Sequence, residues 1–274
     1  MPEEKSKKTR MEIKEKIEQV EVLLKKMGSV LVAYSGGVDS TLVIEIARRT
    51  LGEKVLAVTA KSPLYSTEEL KVAKAMAKKL KVAHLIIEGD ELNIPGFVDN
   101  PKNRCYLCKK ELFEKLFQIA AKYKLSYVLD GSNVSDISDF RPGRQAAKEL
   151  GVCSPLEEVG LTKDEVRQVS KMMGLSTYHK PSSACLASRF PYGKQISFET
   201  LKMVEKAEEY LRRLGIWQVR VRHYENLCRI EVERQDLPIL LAKQGRIVDK
   251  FKKLGYIYVT LDLAGYRSGS MNEE

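Results

Sequence analysis

The sequence predicts an α/β protein with a doubly wound parallel sheet and a smaller C-terminal α+β domain. Three observations predict this fold class. Strand-like and helix-like segments alternate through the first half of the chain, a glycine-rich turn follows the first strand, and a loop with two prolines at 180–197 precedes a tail of different pattern. We place the two domains at 1–190 and 191–274. A chain of 274 residues with 43% hydrophobic content is long enough to form one large core and a second, smaller one.

Hydrophobic periodicity predicts each element in order. An amphipathic helix over 11–27 leads into an apolar strand at 31–34. The first domain continues with helices at 42–49, 67–80 and 111–123 and with strands at 54–60, 84–87 and 126–129. The tail has helices at 198–214 and 235–254 and strands at 219–223, 228–232 and 256–263. Ligands of such sheets lie beyond the carboxyl ends of the strands, where 35–40 and 130–136 fall.

Composition narrows the partners and the compartment. Lys and Arg number 47 against 37 Asp and Glu, a formal charge of +10 that suits nucleic acid, nucleotides or phosphorylated ligands, and equally a solvated surface. No apolar run approaches the ~18 residues of a membrane span, and the N-terminus is charged, so we expect a cytoplasmic protein without membrane contact. The chain contains five cysteines, and because disulfides are rare in the cytoplasm, we expect some of them to bind metal or to act in catalysis.

The stretch LVAYSGGVDS at 31–40 predicts a phosphate-binding turn. Gly36 and Gly37 let the backbone turn tightly, Asp39 or Ser40 can cap the next helix, and its N–H groups and dipole then face one anion. No lysine follows the glycines, which excludes a P-loop. The motif SGGxDS resembles the PP-loop of ATP pyrophosphatases, which implies cleavage between the α and β phosphates of ATP. An ordinary strand-helix turn is the alternative.

Four motifs in order resemble the LarE family: SGGVDS at 35–40, NRCYLCKK at 103–110, DGSNVSDISDFRPG at 130–143 and KPSSACLASR at 180–189. The resemblance implies an ATP-dependent sulfurtransferase of nickel-pincer cofactor biosynthesis. Such an enzyme adenylates a carboxylate of pyridinium-3,5-biscarboxylic acid mononucleotide and converts it to a thiocarboxylate. It also implies a small-molecule nucleotide substrate, a homo-oligomer and a sulfur donor that the sequence does not identify.

The ATP site is predicted from the glycine turn and the end of the fourth strand. Its residues are Ala33, Ser35, Gly36, Gly37, Val38, Asp39, Ser40, Gly131 and Asn133. Asp39 is also predicted to hold Mg²⁺, with a helix N-cap as the alternative role. Asp136, Asp139 and Arg144 converge on the same loop, and Asp136 and Arg144 are predicted to bind substrate. A plain hydrogen-bonded turn is the alternative for this loop.

The cysteines suggest the sulfur chemistry. Cys105 and Cys108 form a C-x-x-C at the entrance to the helix predicted at 111–123, which suits a redox pair, half a zinc site or two ligands of an iron–sulfur cluster. Zinc would need a fourth ligand besides Cys185, and His179 is nearest in sequence. The resemblance implies a [4Fe-4S] cluster held by Cys105, Cys108 and Cys185, with a terminal sulfide as nucleophile. In the simplest family members the residue matching Cys185 is catalytic and gives up its own sulfur.

A basic strand predicts the substrate-phosphate site. Arg220 and Arg222 lie on one strand face with Cα atoms about 6.6 Å apart, which suits a phosphate, whereas a solvated strand face is the alternative. The resemblance implies that these arginines bind the phosphate of the nucleotide substrate, with Ser188 and Arg189 joining them. Glu231 on the next strand is predicted to form a salt bridge with the arginines rather than to bind metal.

Other functions fit parts of the pattern. A PP-loop tRNA thiolase also adenylates its substrate, often uses C-x-x-C with a further cysteine and would suit the positive charge. The sequence contains no separate RNA-binding module or paired zinc-ribbon cysteines, so a nucleic-acid partner is not expected. An NAD-synthetase-like enzyme would need an ammonia source, and a non-catalytic nucleotide-binding module would release no pyrophosphate.

Overall fold

The computed structural model describes residues 2–136, 142–181, 184–267 and 269–272. The strands are β1 Val30–Ala33, β2 Val55–Lys61, β3 Ala83–Glu88, β4 Tyr127–Leu129, β5 Val219–Tyr224, β6 Leu227–Val232 and β7 Tyr258–Leu261. The helices are α1 Pro2–Met27, α2 Val38–Leu51, α3 Thr67–Lys79, α4 Arg104–Lys122, α5 Pro142–Leu150, α6 Pro155–Glu158, α7 Lys163–Met172, α8 Phe198–Arg213, α9 Leu237–Ala242 and α10 Gln244–Leu254. No helix in these ranges is both long and apolar enough to cross a membrane.

Strands β1 to β4 form a parallel sheet in the order β3-β2-β1-β4. Val30 and Val32 of the inner strand β1 pack into a core with α1, α2 and α7, whereas Leu31 packs on the other face with Phe113 of α4 and Ala147 of α5. Because successive strand residues point to opposite faces, a continuous apolar run fits a sheet with helices on both sides. The predicted doubly wound α/β fold is confirmed.

Strands β5, β6 and β7 form a second, smaller sheet. β5 pairs antiparallel with β6, and β6 pairs parallel with β7. Val221 and Ile230 of this sheet share a buried core with Leu211 of α8 and Phe251 of α10. The predicted α+β character of the C-terminal region is therefore confirmed.

The chain divides into two compact units. The first comprises 1–62, 67–89 and 105–182 and holds the parallel sheet. The second comprises 63–66, 90–104 and 183–274 and holds the small sheet. The short segments 63–66 and 90–104 therefore fold with residues that are far away in sequence.

Several helices differ from the sequence prediction. Helix α4 begins at Arg104 rather than near residue 111, so the C-x-x-C is part of the helix and lies at its N-terminal end. The helix predicted over 235–254 is two helices, α9 and α10, because Lys243 between them has non-helical angles of φ −112° and ψ 14°. Helices α6 and α7 were not predicted, although α7 opens on a capping box between Thr162 and Glu165.

Candidate functional site

The turn between β1 and α2 requires glycine at Gly36. This residue has a φ of +71°, and a Cβ built on it would lie 3.0 Å from the Cβ of Ala73 in α3. A side chain here would therefore be strained and would also displace α3. Only glycine lets the backbone turn this tightly where β1 ends.

Helix α2 begins one residue after Gly37, which is its N-cap. The prediction that Asp39 or Ser40 caps the helix was wrong, because both lie inside its first turn. Ser40 instead braces the loop, since its Oγ lies 3.3 Å from the backbone nitrogen of Ser35, which donates to it. Gly37 offers the first-turn N–H groups no side-chain cap within the described chain, and uncapped N–H groups at a helix N-terminus suit an anion.

Asp39 is held by two partners from other parts of the first unit. The amide of Asn133 donates to Oδ1 over 3.1 Å, and the ammonium of Lys163 forms an ion pair with Oδ2. A carboxylate is a suitable Mg²⁺ ligand, but here both of its oxygens already accept hydrogen bonds. A Mg²⁺ ion at Asp39 would have to compete with Lys163.

The loop after β4 meets the glycine turn directly. A Cβ on Gly131 would lie 2.7 Å from the backbone nitrogen of Ser40, so the two backbones approach as closely as a glycine allows. Asn133 is fully buried and accepts from the backbone of Ser135 over 3.0 Å while it donates to Asp39. The structure thus brings together the two strand ends that the sequence singled out.

The remaining candidates of this loop have local partners. Asp136 accepts from the backbone nitrogen of Asn133 over 3.1 Å, and Arg144 pairs with Glu157 over 2.6 Å. These contacts order the loop and α5 in the present structure. The predicted roles of Asp136 and Arg144 in substrate binding stay predictions, and Asp139 lies outside the described residues.

Two lysines that the sequence analysis missed reach the glycine turn. Lys163 opens α7 and pairs with Asp39, and Lys180 donates from Nζ to the carbonyl oxygen of Gly36 over 3.1 Å. Burial lowers the pKa of Lys180, and the carboxylates of Glu69 and Glu68 oppose that shift. The motif KPSSACLASR begins with Lys180, but nothing local in the sequence places this lysine at the turn.

The C-x-x-C occupies the first turns of α4. Cys108 is buried and Cys105 is half-buried, and residues three apart lie on the same side of a helix. Two thiols fit two ligand positions of a zinc or iron–sulfur centre. However, within the described ranges no group of three or more His, Cys, Asp or Glu side chains is arranged to hold a metal ion. The described structure therefore shows two thiols near each other on α4, and their predicted role as metal ligands stays a prediction.

Cys185 is half-buried and precedes a 3₁₀ turn at Leu186–Arg189 in the second unit. The buried side chain of Arg189 stabilises the backbone before this turn, since its Nη1 donates to the carbonyl oxygens of Ala184 and Cys185 over 2.8 and 3.1 Å. The same guanidinium forms a buried pair with Glu208 of α8 over 2.7 Å. Burial alone would raise the pKa of Glu208, but Arg189 and then Arg212 lower it to about 2. Glu208 was missed because it lies in an ordinary helical pattern.

The two arginines of β5 are buried beside this turn, so they do not form a solvated strand face. Arg222 donates to the backbone oxygen of Ser188 over 2.9 Å and pairs with Glu231 over 2.7 Å, which confirms the predicted salt bridge. Arg220 lies over the ring of Tyr266, 5.2 Å from its centroid. Burial and then Arg189 lower the pKa of Arg220 to about 10, opposed by Glu208.

The second unit therefore gathers four predicted site residues in one cluster. Ser188, Arg189, Arg220 and Arg222 all lie at or against the turn that follows Cys185. Two carboxylates, Glu208 and Glu231, compensate part of the positive charge. We call these six residues the arginine cluster.

Comparisons with known proteins match the glycine turn and nearly the whole length of the chain. Residues 17–97, which contain the glycine turn, match the asparagine synthase family. An uncharacterised protein of Synechocystis is 45% identical over 95% of this chain and 98% of its own length. The pyridinium-3,5-bisthiocarboxylic acid mononucleotide synthase of Lactiplantibacillus plantarum is 38% identical over 91% of both chains, and an uncharacterised protein of Methanocaldococcus jannaschii is 35% identical over 89% of this chain and 92% of its own.

The relative from Lactiplantibacillus plantarum matches nearly the whole chain and not the glycine turn alone. The glycine turn, the loop after β4 and the turn after Cys185 all fall within the matched length. The chain belongs to the LarE family of PP-loop proteins.

Proposed function

We propose that this protein is an ATP-dependent sulfurtransferase that converts a carboxylate of pyridinium-3,5-biscarboxylic acid mononucleotide to a thiocarboxylate for a nickel-pincer nucleotide cofactor. The observation that carries the proposal is the pairing of two features in one LarE-family chain. One is a phosphate-binding turn built on Gly36, Asp39 and Asn133, and the other is an arginine cluster beside Cys185.

The first unit supports the adenylation step. A substrate carboxylate oxygen attacks the α phosphorus of ATP, the bond from that phosphorus to the bridging oxygen breaks, and pyrophosphate leaves. The uncapped N–H groups of α2 and the close approach of Gly131 suit the phosphates. Mg²⁺ when bound would neutralise phosphate charge, and we assign Asp39 as its carboxylate ligand. That assignment requires Mg²⁺ to displace the ammonium of Lys163 from Asp39.

The arginine cluster supports recognition of a phosphorylated substrate. Arg220 and Arg222 are buried, and the Nε atom of Arg222 has no hydrogen-bond partner within the described structure. A buried guanidinium with an unused donor favours a phosphate or carboxylate oxygen as its partner. We assign the substrate's phosphate to this cluster.

Cys185 is the residue we assign to sulfur transfer. Its thiolate attacks the acyl carbon of the adenylate, AMP leaves, and a thioester forms. Loss of the Cα proton and cleavage of the Cβ–S bond then release the thiocarboxylate and leave dehydroalanine. The turn held by Arg189 fixes the backbone at Cys185 for this attack.

A finer proposal concerns Cys105 and Cys108. The LarE-type motifs favour a [4Fe-4S] cluster with these two thiolates and Cys185 as ligands, and such a cluster supplies sulfide chemistry when bound. The two thiols on α4 fit two of the three positions. This ligand set rests on the sequence motifs, and it makes Cys185 a ligand rather than a consumed residue.

The test measures the products of ATP with the purified full-length chain. With the pyridinium mononucleotide as acceptor we expect AMP, pyrophosphate and a thiocarboxylate product, and with tRNA we expect none of these. Orthophosphate instead of pyrophosphate, or thiolation of tRNA alone, would refute the proposed function. A Cys185→Ala variant should still form AMP and pyrophosphate but no thiocarboxylate.

The mass of the chain after turnover separates the two sulfur sources. A sacrificial Cys185 predicts loss of one H₂S per chain and a single turnover. A cluster-bound source predicts an unchanged chain mass and repeated turnover when sulfide is supplied. Cys153→Ala serves as the control, because Cys153 lies in the first unit after α5 and has no role in either route.

A further inference from the structure

Lys180 is a cation at the nucleotide turn that the adenylation step above does not use. Its ammonium donates to the carbonyl oxygen of Gly36 over 3.1 Å, although 144 positions separate the two residues in sequence. The turn itself contains no lysine between Ser35 and Ser40. Tertiary structure therefore brings to the turn a positive charge that the local motif lacks.

The backbone that carries Lys180 is fixed by Arg167 of α7. This guanidinium donates from Nη1 to the carbonyl oxygen of Tyr178 over 2.6 Å and from Nη2 to that of Lys180 over 2.9 Å. The nitrogen of Lys180 also donates to Thr177 over 3.0 Å. A 3₁₀ turn at Ser176–His179 precedes Lys180. Because Arg167 binds the backbone within this turn and directly after it, the side chain of Lys180 starts from a fixed position.

The two lysines at the turn differ in their charge partners. The ammonium of Lys163 is paired with the carboxylate of Asp39, whereas the hydrogen bond described for Lys180 goes to a neutral carbonyl. The carboxylates of Glu69 and Glu68 attract this ammonium and oppose the effect of burial on the pKa of Lys180. A phosphate oxygen would be a stronger acceptor than the Gly36 carbonyl for a half-buried ammonium.

We propose that Lys180 contacts the pyrophosphate part of ATP at this turn and stabilises it as the leaving group. As the bond from the α phosphorus to the bridging oxygen breaks, its electron pair stays on the pyrophosphate. Lys180 donates a hydrogen bond to that charge and remains protonated, so no proton is transferred. The inference rests on the proposed function only for the adenylation step.

The test compares the binding of three probes to the full chain by calorimetry. Magnesium pyrophosphate and α,β-methylene-ATP contain the group that Lys180 contacts, whereas AMP does not. We expect Lys180→Met to weaken the first two about 10- to 100-fold, the value of one charge-assisted hydrogen bond, and to change AMP binding less than about threefold. Lys79→Met is the matched control, because Lys79 is an exposed lysine of α3 in the same unit.

Lys180→Arg should recover much of the pyrophosphate affinity, since it keeps the charge. Unchanged pyrophosphate binding by Lys180→Met, or an equal loss of AMP binding, would overturn the inference. A wild-type chain that binds neither pyrophosphate nor α,β-methylene-ATP would overturn it as well. A chain that binds both through Lys180 but transfers no sulfur would refute only the proposed sulfurtransferase.

Discussion

The guanidinium of Arg189 and the carboxylate of Glu208 form a bidentate, buried ion pair in the second unit. Nε donates to Oε1 over 2.7 Å and Nη2 donates to Oε2 over 3.0 Å, and each side chain is at most 1% exposed. The backbone nitrogen of Val221 in β5 donates to the same carboxylate over 3.1 Å. One buried carboxylate thus links α8 and β5 to the turn that follows Cys185.

This pair predicts a pH-dependent stability. Burial would raise the pKa of Glu208, but Arg189 and Arg212 lower it to about 2, below its usual 4.5. The stabilisation is therefore complete above pH 4.5 and is lost as the pH falls towards 2. Glu208→Gln should cost roughly 3–5 kcal/mol near neutral pH, because it removes the buried carboxylate that pairs with Arg189 and Arg212. Urea denaturation from pH 7 to acid should show this difference shrinking.

Glu209→Gln is the control for that series. Glu209 is 51% exposed and pairs with Arg213 on the surface of the same helix, so its loss should cost at most about 1 kcal/mol. A Glu208→Gln protein as stable as this control, or one whose deficit is equal at every pH, would contradict the role assigned to the pair.

A second prediction concerns the close approach of Gly131 to α2. Alanine at this position would place its Cβ 2.7 Å from the backbone nitrogen of Ser40. Relieving this clash would require the backbone in the first turn of α2 to shift, which costs free energy. We expect Gly131→Ala to lower the stability of the chain by about 1–3 kcal/mol and to weaken α,β-methylene-ATP binding. Denaturant unfolding and calorimetry would measure both effects.

Gly245→Ala provides the comparison for Gly131. Gly245 lies in the first turn of α10, and a Cβ there meets no atom within 4 Å. The substitution should leave the stability unchanged or raise it by about 0.5–1 kcal/mol. Equal behaviour of the two alanine variants would show that the loop after β4 does not constrain the ATP turn.

The cysteine ligand set predicts metal content. After anaerobic reconstitution with iron and sulfide, the wild-type chain should hold both elements, and Cys105→Ala and Cys108→Ala should lose most of them. Cys153→Ala should keep the wild-type content. Iron and sulfide analysis with visible absorption would measure this, and an undiminished cluster in Cys105→Ala would exclude these ligands.

The arginine cluster predicts a separation of two substrate affinities. Arg222→Ala should raise the KM for the pyridinium mononucleotide about 10- to 100-fold and leave the KM for ATP nearly unchanged, because the two ligands use different residues. Arg246→Ala, an exposed arginine of α10, is the matched control. Because Arg222 also pairs with buried Glu231, the thermal stability of the Arg222→Ala variant should be measured in parallel. An equal loss of ATP affinity would contradict the assignment.

Much of the first unit was predictable because its signals are local. The apolar run predicted at 31–34 corresponds to β1, an inner strand of the sheet that spans Val30–Ala33, and its alternate residues pack on opposite faces as a buried parallel strand requires. The turn chemistry of Gly36 and Gly37 was also visible. The N-cap at Gly37 was missed because Asp39 and Ser40 are common capping residues, yet here their side chains serve the loop after β4 and the turn.

The sequence by itself determined the α/β class, the phosphate-binding turn and the LarE-type motifs, since periodicity and turn residues act over a few positions. Only the tertiary structure decided that Lys163 and Lys180 reach this turn and that Arg189 is buried against Glu208. Contacts such as Lys180 to Gly36 depend on how the whole chain winds between them. The sequence around Lys163, Lys180 and Arg189 therefore contains no local pattern that predicts which residues they contact.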